Sequence, residues 1–562
     1  MKNRFSRPKM LACAVVAATV FCGCGSSDNF VHTSTFNPTS TAQPPVLQAP
    51  VAVDDTFPAL GNATLNQHAS GVLANDTPNG GSITAFDSAG SEGGTLDLKA
   101  DGSFTYTPAA NYVGPETFNY TLSNEEGEST ATVTLTSTGL GRFVDNSGSN
   151  GDGTQNSPFN NLQDALNAAQ PGDTIYVASG DGTNTGVPGG FTLPAGVKLI
   201  GEGTGLVLAQ TVEPAGTAPI ISGPITCLGD NVIQGFAIDG SSAEGIVATS
   251  VANLTISQNS FANIAEEHIE FSSISGTVTI DGNDFLDVPT GRRTDNIYFE
   301  QIDTDGSFVC TGNTFRNAED AATNILCELG TYGTSSLSVV FSRNEALGNA
   351  SGGFENGFYW FQPSTGACTL SAQENSFSNL SNDGFNVDGP VRTTLAGNTF
   401  NACAFPIFID FGGTDWNISG NLINDSLFPM TVFNSTADGT CVISNNRLTG
   451  AEERAVTYEA IAPTPSNAKV ALRDNSVTGC LAEAVYIHIN QDNRNVCFDI
   501  SGNTVDGDML FEDSGNGSIT VEQFGDAGGD ELKSVNNFIS GADVVVNGDA
   551  VVDAIAGFCQ IP

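Results

Sequence analysis

The hexapeptide Ile256-Ser257-Gln258-Asn259-Ser260-Phe261 returns 24 residues later as Ile280-Asp281-Gly282-Asn283-Asp284-Phe285. In both copies the asparagine comes three residues after one apolar residue and two before another. The spacing between successive asparagines varies from 23 to 31 residues, which is too irregular for a helical solenoid. It predicts coils of three short strands joined by turns of variable length. The recurring residues are Asn259, Asn283, Asn313, Asn344, Asn375, Asn398, Asn421, Asn446, Asn475 and Asn503.

A second column of the repeat consists of five-residue segments with apolar residues at the second and fourth positions. Such alternation is typical of a pleated strand, so these two positions are expected to face inward and the third and fifth outward. The eleven segments are 245–249, 268–272, 296–300, 324–328, 357–361, 384–388, 406–410, 429–433, 455–459, 484–488 and 508–512. We therefore expect an all-β chain in which 140–562 forms a parallel β-helix, with eleven rungs in this column.

The asparagine column predicts a structural ladder rather than a catalytic motif. An asparagine repeated at one turn can donate to one neighbouring coil and accept from the other, which satisfies a buried polar group many times. Asn398 is accordingly expected to be buried and stacked between Asn375 and Asn421.

A short helix is expected to cover the N-terminal end of the stack. Residues 159–169 have helical spacing at Leu162, Ala165, Leu166 and Ala169. A terminal coil without such a cap would expose an unpaired strand edge.

The order of motifs before the coils resembles the pectin-lyase-like right-handed parallel β-helix superfamily over about 140–540. The matching stretches are Asp152-Gly153-Thr154, Pro158-Phe159, Gly172-Asp173-Thr174-Ile175-Tyr176-Val177, Gly196-Val197 and Gly201-Glu202-Gly203. The resemblance implies a fold. It does not imply a single activity, because the superfamily contains lyases, hydrolases, epimerases and adhesins.

Residues 50–137 alternate short β runs with turns and predict an antiparallel β-sandwich. Segments such as 101–108 and 111–120 resemble the cadherin-like, immunoglobulin-like repeats of bacterial surface proteins, which act as spacers or adhesive units. Some of these repeats bind calcium, so the resemblance makes Asp54, Asp55 and Asp76 candidate calcium ligands. Capping of turns by these aspartates is the alternative.

The first residues read as an export signal. A basic start and an 11-residue apolar run predict a signal peptide over 1–23, and the run is too short to span a bilayer. Gly23-Cys24 resembles a bacterial lipoprotein signal, which implies lipidation of Cys24 and a membrane anchor at the outer membrane or cell surface. Plain secretion is the alternative. Residues 24–49 are rich in Ser, Thr and Pro and predict a flexible linker.

The charge excludes one class of partner. With 62 Asp+Glu against 18 Lys+Arg, the net charge is −44. A polyanion of this size repels nucleic acid, so no nucleic-acid partner is expected.

The outward positions of the strand column form a candidate binding face. They include seven acidic and six aromatic residues and no Lys or Arg. Aromatic rings beside carboxylates suit a neutral polysaccharide or cell-surface glycan. The alternative is that long turns cover the aromatic residues. The predicted substrate-binding residues are Tyr298, Glu300, Tyr359, Phe361 and Phe408.

Sequence signatures of known active sites are missing. The four histidines form no cluster in the sequence, and no nucleophilic triad is visible. We therefore expect a surface protein that binds carbohydrate. A glycoside hydrolase using Glu328, Asp388 and Asp410 is the first alternative. A polysaccharide lyase, which would need calcium to bridge the acidic protein and an acidic substrate, is the second.

Overall fold

The computed structural model describes the chain from residue 47, with short internal gaps. The described residues are 47–187, 189–208, 210–287, 295–302, 305–317, 325–331, 333–348, 356–361, 366–410, 415–434, 439–461, 467–489, 495–514, 518–522, 524–525, 529–539, 542–547, 551–554 and 559. The predicted signal peptide and Cys24 lie outside this set. Within these ranges no helix has the length and apolar character to cross a bilayer.

An immunoglobulin-like sandwich forms the N-terminal part of the described chain. Its strands are β1 Asp55–Gly61, β2 Leu65–Gln67, β3 Ser82–Phe86, β4 Thr95–Leu98, β5 Phe104–Thr107, β6 Gly114–Asn124 and β7 Gly127–Val144. One sheet has the order β1-β7-β6-β3 and the other β2-β5-β4. All pairs are antiparallel except β1 with β7. Alternate residues of β6, such as Phe118 and Tyr120, are buried between the two sheets.

Strand β7 belongs both to the sandwich and to the coils that follow. Its residues from Gly127 to Ser137 pair with β6, and Gly141–Val144 pair in parallel with Thr174–Val177 in the first coil. The strand is therefore continuous across residues 137–140, where the sequence analysis placed the change of domain.

Side-chain packing reinforces this junction. Leu60 and Ala63 of the sandwich share an apolar cluster with Phe143, Tyr176 and Ile200 of the coils. The Gln155 side chain accepts a hydrogen bond from the backbone N–H of Thr64 at 2.7 Å and donates one to Glu213 at 2.6 Å. The sandwich thus contacts the first coils through strand pairing, apolar packing and side-chain hydrogen bonds.

The predicted capping helix is confirmed as α1, Leu162–Ala168. Asn161 caps its N-terminus by accepting a hydrogen bond from the backbone N–H of Asp164 at 2.9 Å. Leu162, Ala165 and Leu166 are buried in the same core as the coils, so the helix covers the end of that core.

The rest of the chain winds through three parallel sheets, as expected for a parallel β-helix. Sheet A contains Phe191–Leu193, Ile225–Cys227, Ile246–Ala248, Ile269–Phe271, Ile297–Ile302, Ile325–Thr331, Asn356–Phe361, Asp383–Asp388, Phe405–Asp410, Met430–Asn434, Val456–Ala460, Val485–Ile489, Met509–Asp513 and Val544–Asn547. Sheet B contains Thr174–Val177, Lys198–Gly201, Asn231–Gln234, Leu254–Ser257, Thr277–Asp281, Gly306–Thr311, Leu337–Ser342, Cys368–Gln373, Val391–Ala396, Asp415–Ser419, Thr440–Ser444, Asn467–Arg473, Asn495–Ser501, Ser518–Glu522 and Val551–Ala554, after the end of β7. Sheet C contains Ile220–Ile221, Ala237–Asp239, Ser260–Ala262, Asp284–Asp287, Thr314–Asn317, Glu345–Leu347, Ser376–Ser378, Thr399–Asn401, Leu422–Asn424, Arg447–Thr449, Ser476–Thr478, Thr504–Asp506 and Asn537–Ile539. A hairpin of Leu206–Val207 with Thr211–Glu213 lies outside these sheets.

Sheet A contains all eleven predicted strand segments, on successive rungs. Its alternation is the predicted one: in Asp383–Asp388, Phe385 and Val387 are buried while Asn386 and Asp388 are half-buried. Inside the coils, like residues stack along the axis. The rings of Phe261, Phe285 and Phe315, on successive strands of sheet C, lie 4.8 Å apart.

The asparagine ladder is also confirmed. Asn398 is fully buried. Its side-chain amide donates to the Asn421 carbonyl at 3.0 Å, and its own carbonyl accepts from Asn375 at 2.8 Å. The same bond joins each neighbouring pair from Asn259 to Asn503, and Asn536 extends the ladder by one step.

A tight turn carries each asparagine from Asn259 to Asn503 from sheet B to sheet C, whereas Asn536 follows the helix Asp530–Val535. In each of these turns the residue before the asparagine has a positive φ, for example 65° at Gly397 and 53° at Gln258. This left-handed conformation lets a short turn bend the chain sharply from one sheet to the next, and glycine adopts it without steric cost.

Near the C-terminal end of the described coils, a helix packs into the core and a disulfide joins two segments of the chain. The helix is Asp530–Val535, and its Leu532 is buried in the core. Cys559 is joined to Cys497 of sheet B by a disulfide. Cys480 is free and half-buried. Six other free cysteines are buried, namely Cys227, Cys310, Cys327, Cys368, Cys403 and Cys441.

Candidate functional site

The outward side of sheet A places the predicted binding residues along the stack of rungs. Tyr298, Glu328, Tyr359, Asn386 and Phe408 are backbone partners on five successive strands, and we call this set the outer row. All five side chains are half-buried. At ~4.8 Å per rung the outer row extends over roughly 19 Å.

Glu328 occupies a different position on its rung from the predicted one. It was expected at the fifth position, in line with Asp388. The structure instead pairs Glu328 with Tyr298 and Tyr359, at the third position. Ile325, Cys327 and Leu329 are all apolar and alternate, so sliding the strand by two residues leaves the same face inward.

The slide changes the predicted spacing of the carboxylates. Glu328 and Asp388 lie two rungs apart and two residues out of line, so their α-carbons are roughly 12 Å apart instead of the predicted ~9.6 Å. The expected alignment of these two residues, which suggested an inverting glycosidase, was therefore wrong.

Asp388 and Asp410 lie opposite each other on adjacent strands, as predicted. Asp388 is half-buried. The side chains of Asp410 and Glu300 lie outside the described residues, although both positions belong to described strands of sheet A. Phe361, on the rung before Asp388, is 41% exposed and offers a ring to solvent.

The aromatic residues near Phe408 contact one another. The ring of Phe408 lies 5.5 Å from Phe433 on the next rung and 6.5 Å from Phe405. Phe405 stacks on Phe428 at 5.4 Å. All four rings are half-buried, so they form an apolar patch with a partly accessible surface.

A group of carboxylates that the sequence analysis missed lies beside the outer row. Carboxylate oxygens of Glu244, Glu267 and Glu270 are within 4.8 Å of one another, a spacing that could hold a hard divalent cation such as Ca²⁺. Burial raises the pKa of Glu267, and the charges of neighbouring glutamates, including Glu328, raise it further. A sequence signal existed, because Glu244 and Glu267 each stand two residues before a strand of sheet A.

The aspartates predicted as calcium ligands are divided between two sets of contacts. The Tyr120 hydroxyl bonds to Asp76 at 2.8 Å and to Asp55 at 3.2 Å, which brings these two carboxylates together. Asp54 instead accepts a hydrogen bond from the backbone N–H of Thr132 at 2.8 Å. Burial, followed by the charge of Asp76, raises the pKa of Asp55 to about 6, although the hydrogen bond from Tyr120 opposes the shift.

One arginine reaches the outward side of sheet A from a turn. The Arg454 guanidinium lies 3.6 Å from the centre of the Tyr486 ring and 3.3 Å from Glu483. Tyr486 is buried, so a turn covers this predicted outward aromatic residue. The outward positions of the strands contain no Lys or Arg, as stated above, but the turn before Val456–Ala460 places Arg454 beside them.

Comparison with known proteins identifies only the sandwich. Residues 47–136 match the family model described as a bacterial Ig domain. No curated protein and no solved structure matches the chain.

Proposed function

We propose that this protein is a lipid-anchored bacterial surface protein that binds a neutral glycan along the outer row. The single observation that carries the proposal is the register of sheet A. It aligns two tyrosines and a phenylalanine with a carboxylate and an amide over five rungs.

The chemistry of the outer row suits a chain of uncharged sugars. Aromatic rings pack against the apolar faces of sugar rings, and Glu328 has carboxylate oxygens that accept from hydroxyl groups. The Asn386 amide nitrogen donates to Asp383 at 2.7 Å and has a second hydrogen to donate. The rows of a parallel sheet run straight along the stack, so an extended chain can contact several rungs at once. The net charge of −44 disfavours an anionic polysaccharide unless cations intervene.

The sequence supports the anchor and the superfamily. The apolar run and Gly23-Cys24 support a lipid-anchored N-terminus, and the motifs from Asp152 to Gly203 support membership of the pectin-lyase-like superfamily. In this arrangement the bacterial Ig domain holds the coils away from the membrane. Asp54, Asp55 and Asp76 remain proposed calcium ligands.

A glycoside hydrolase is the second candidate, and the pairing of Asp388 with Asp410 favours it. Their backbones are ~4.8 Å apart. Retaining glycosidases hold their two carboxyl groups ~5–5.5 Å apart, so this pair suits a retaining rather than an inverting enzyme.

The test is a glycan array probed with the purified full chain, followed by an assay for release of reducing ends from each bound glycan. The proposal predicts binding to neutral glycans without release. Release that is lost in Asp388→Asn, with binding retained, would favour the hydrolase. Binding to no neutral glycan would contradict the proposed function.

A further inference from the structure

Three polar side chains meet on successive rungs near the C-terminal end of sheet A. The Nε2 atom of His488 lies 2.6 Å from the Ser514 hydroxyl oxygen. On the other side of the ring, Nδ1 lies 3.8 Å from a carboxylate oxygen of Glu459. Ser514 is exposed, whereas His488 and Glu459 have only 13% and 20% of their side chains exposed.

The fold fixes the order of these groups. Glu459 and His488 are backbone partners on adjacent strands, Val456–Ala460 and Val485–Ile489. Ser514 follows directly on the next strand, Met509–Asp513, and its backbone N–H donates to the Ile489 carbonyl at 3.1 Å. The acid, the imidazole and the hydroxyl thus come from three consecutive rungs.

The neighbouring charges leave Glu459 available to the histidine. Glu512 is the backbone partner of His488 on the other side, but its carboxylate accepts the Tyr486 hydroxyl at 2.7 Å. Glu483 is paired with Arg454, which covers the Tyr486 ring. Glu459 facing Nδ1 favours the tautomer in which Nδ1 carries the proton and Nε2 can accept one from Ser514.

This order of groups is that of a nucleophilic triad, which is recognised by geometry rather than by sequence position. No local sequence pattern shows this triad, because Glu459, His488 and Ser514 are separated by 29 and 26 residues. The Glu459 contact is longer than a hydrogen bond, as such contacts often are before substrate binds.

We propose that Ser514, His488 and Glu459 form a serine esterase site that removes small acyl groups from an uncharged, O-acylated sugar or alcohol. Ser514 is the nucleophile and His488 the general base, while Glu459 positions the imidazole. Glu459 and Glu512, the two backbone partners of His488, place carboxylates on both sides of the site, so an anionic substrate is disfavoured.

The reaction balances with water as the only co-reactant. The Ser514 oxygen bonds to the acyl carbon as its proton moves to His488 Nε2. The bond from that carbon to the alcohol oxygen breaks, and the proton passes from Nε2 to the leaving alcohol. Water then attacks the acyl-serine, gives a proton to Nε2 and releases the carboxylic acid, while the serine oxygen recovers its proton from Nε2.

The proposal does not depend on glycan binding by the outer row, so small probes test it separately. We expect a fluorophosphonate probe to label Ser514 in the purified full chain, as mapped by mass spectrometry, and His488→Asn to abolish the labelling. We expect Ser514→Ala to slow hydrolysis of 4-nitrophenyl acetate at least about 100-fold. Ser534→Ala, at an exposed serine whose hydroxyl bonds only to a backbone carbonyl in its own helix, is the matched control.

The variant Glu459→Gln tests whether Glu459 positions the His488 imidazole or only stabilises the fold. It should lower kcat by at least about 100-fold with little change in KM, because the imidazole loses its orienting carboxylate and not a contact to substrate. Circular dichroism confirms the fold of each variant. Failure of the probe to label Ser514 in the wild-type chain, or hydrolysis as fast in Ser514→Ala as in Ser534→Ala, would overturn the proposal.

Discussion

At the scale of single residues, Asn398 has all of its side-chain polar atoms engaged. Its amide nitrogen donates both to the Asn421 side chain and to the Ala372 carbonyl, at 3.0 Å each, and its carbonyl accepts from the side chain and the backbone of Asn375. Each bond satisfies a polar group on a neighbouring coil, which explains why each coil tolerates a buried asparagine. Sequence alone predicted this because an asparagine between two apolar residues recurs at ten positions.

We expect Asn398→Ala to lower the free energy of unfolding by ~1–3 kcal/mol, because it leaves donors and acceptors of two coils unsatisfied. Asn417→Ala is the matched control, since Asn417 is exposed on the outside of sheet B. Urea unfolding of both variants and the wild type provides the measurement. A loss no larger than that of Asn417→Ala would contradict the ladder's role in stability.

Asp55 should make the stability of the sandwich depend on pH. Its pKa is raised from 3.8 to about 6 in the folded state, mainly by burial, so the folded chain holds this proton more tightly than the unfolded chain. Stability from this group is therefore present below pH 4 and is lost as the pH rises to about 6. Thermal melts should show that Tm decreases less from pH 4 to pH 7 in Asp55→Asn than in the wild type. Equal decreases would show that Asp55 does not titrate in this way.

At the scale of strands and turns, alternation predicts the face of a residue better than its place along the strand. The eleven segments of sheet A were placed correctly in order and facing. Glu328 was misplaced by two residues, because Ile325, Cys327 and Leu329 permit two registers with the same face inward. The sequence did not indicate a role for Ser514, because this residue follows the alternating segment. Its alignment with His488 depends on coil lengths that no local sequence pattern specifies.

The disulfide should stabilise the last described coils. It closes a separation of 62 residues, which predicts a contribution of about 2–4 kcal/mol. Hydrogen exchange in the strands Ser518–Glu522 and Val551–Ala554 should become faster in Cys559→Ser. Cys480→Ser is the control, because Cys480 is a free, half-buried cysteine on another part of the coils. Similar exchange in the two variants would mean that the C-terminal end is held without the disulfide.

At the scale of the whole molecule, the sandwich and the coils form one compact unit from residue 49 onwards. The sequence predicted both folds from their different periodicities. It could not predict their joint, because β7 reads as an ordinary alternating strand and gives no sign that its last residues pair with the first coil. Leu60 shares an apolar cluster with Phe143 and Tyr176, which lie far from it in sequence.

Removal of the sandwich should therefore destabilise the coils. A fragment of residues 140–562 loses the strand β1 beside β7 and exposes Phe143 and Tyr176, so its Tm should be lower than that of residues 47–562. The fragment of residues 47–562 is the control, because it lacks only residues 1–46 and keeps every described contact. Equal Tm values for the two fragments would show that the coils fold independently of the sandwich.

Glycan binding by the outer row is best measured through the Kd of Tyr359→Ala for the glycan that binds the wild-type chain most tightly on the array. Tyr359 lies between Glu328 and Asn386, so loss of its ring should weaken binding by about tenfold or more, equivalent to ~1.4 kcal/mol. Tyr112→Ala is the control, because Tyr112 is a half-buried tyrosine of the sandwich. We expect a higher Kd for Tyr359→Ala alone, and an unchanged Kd in a folded Tyr359→Ala protein would show that the outer row does not bind the glycan.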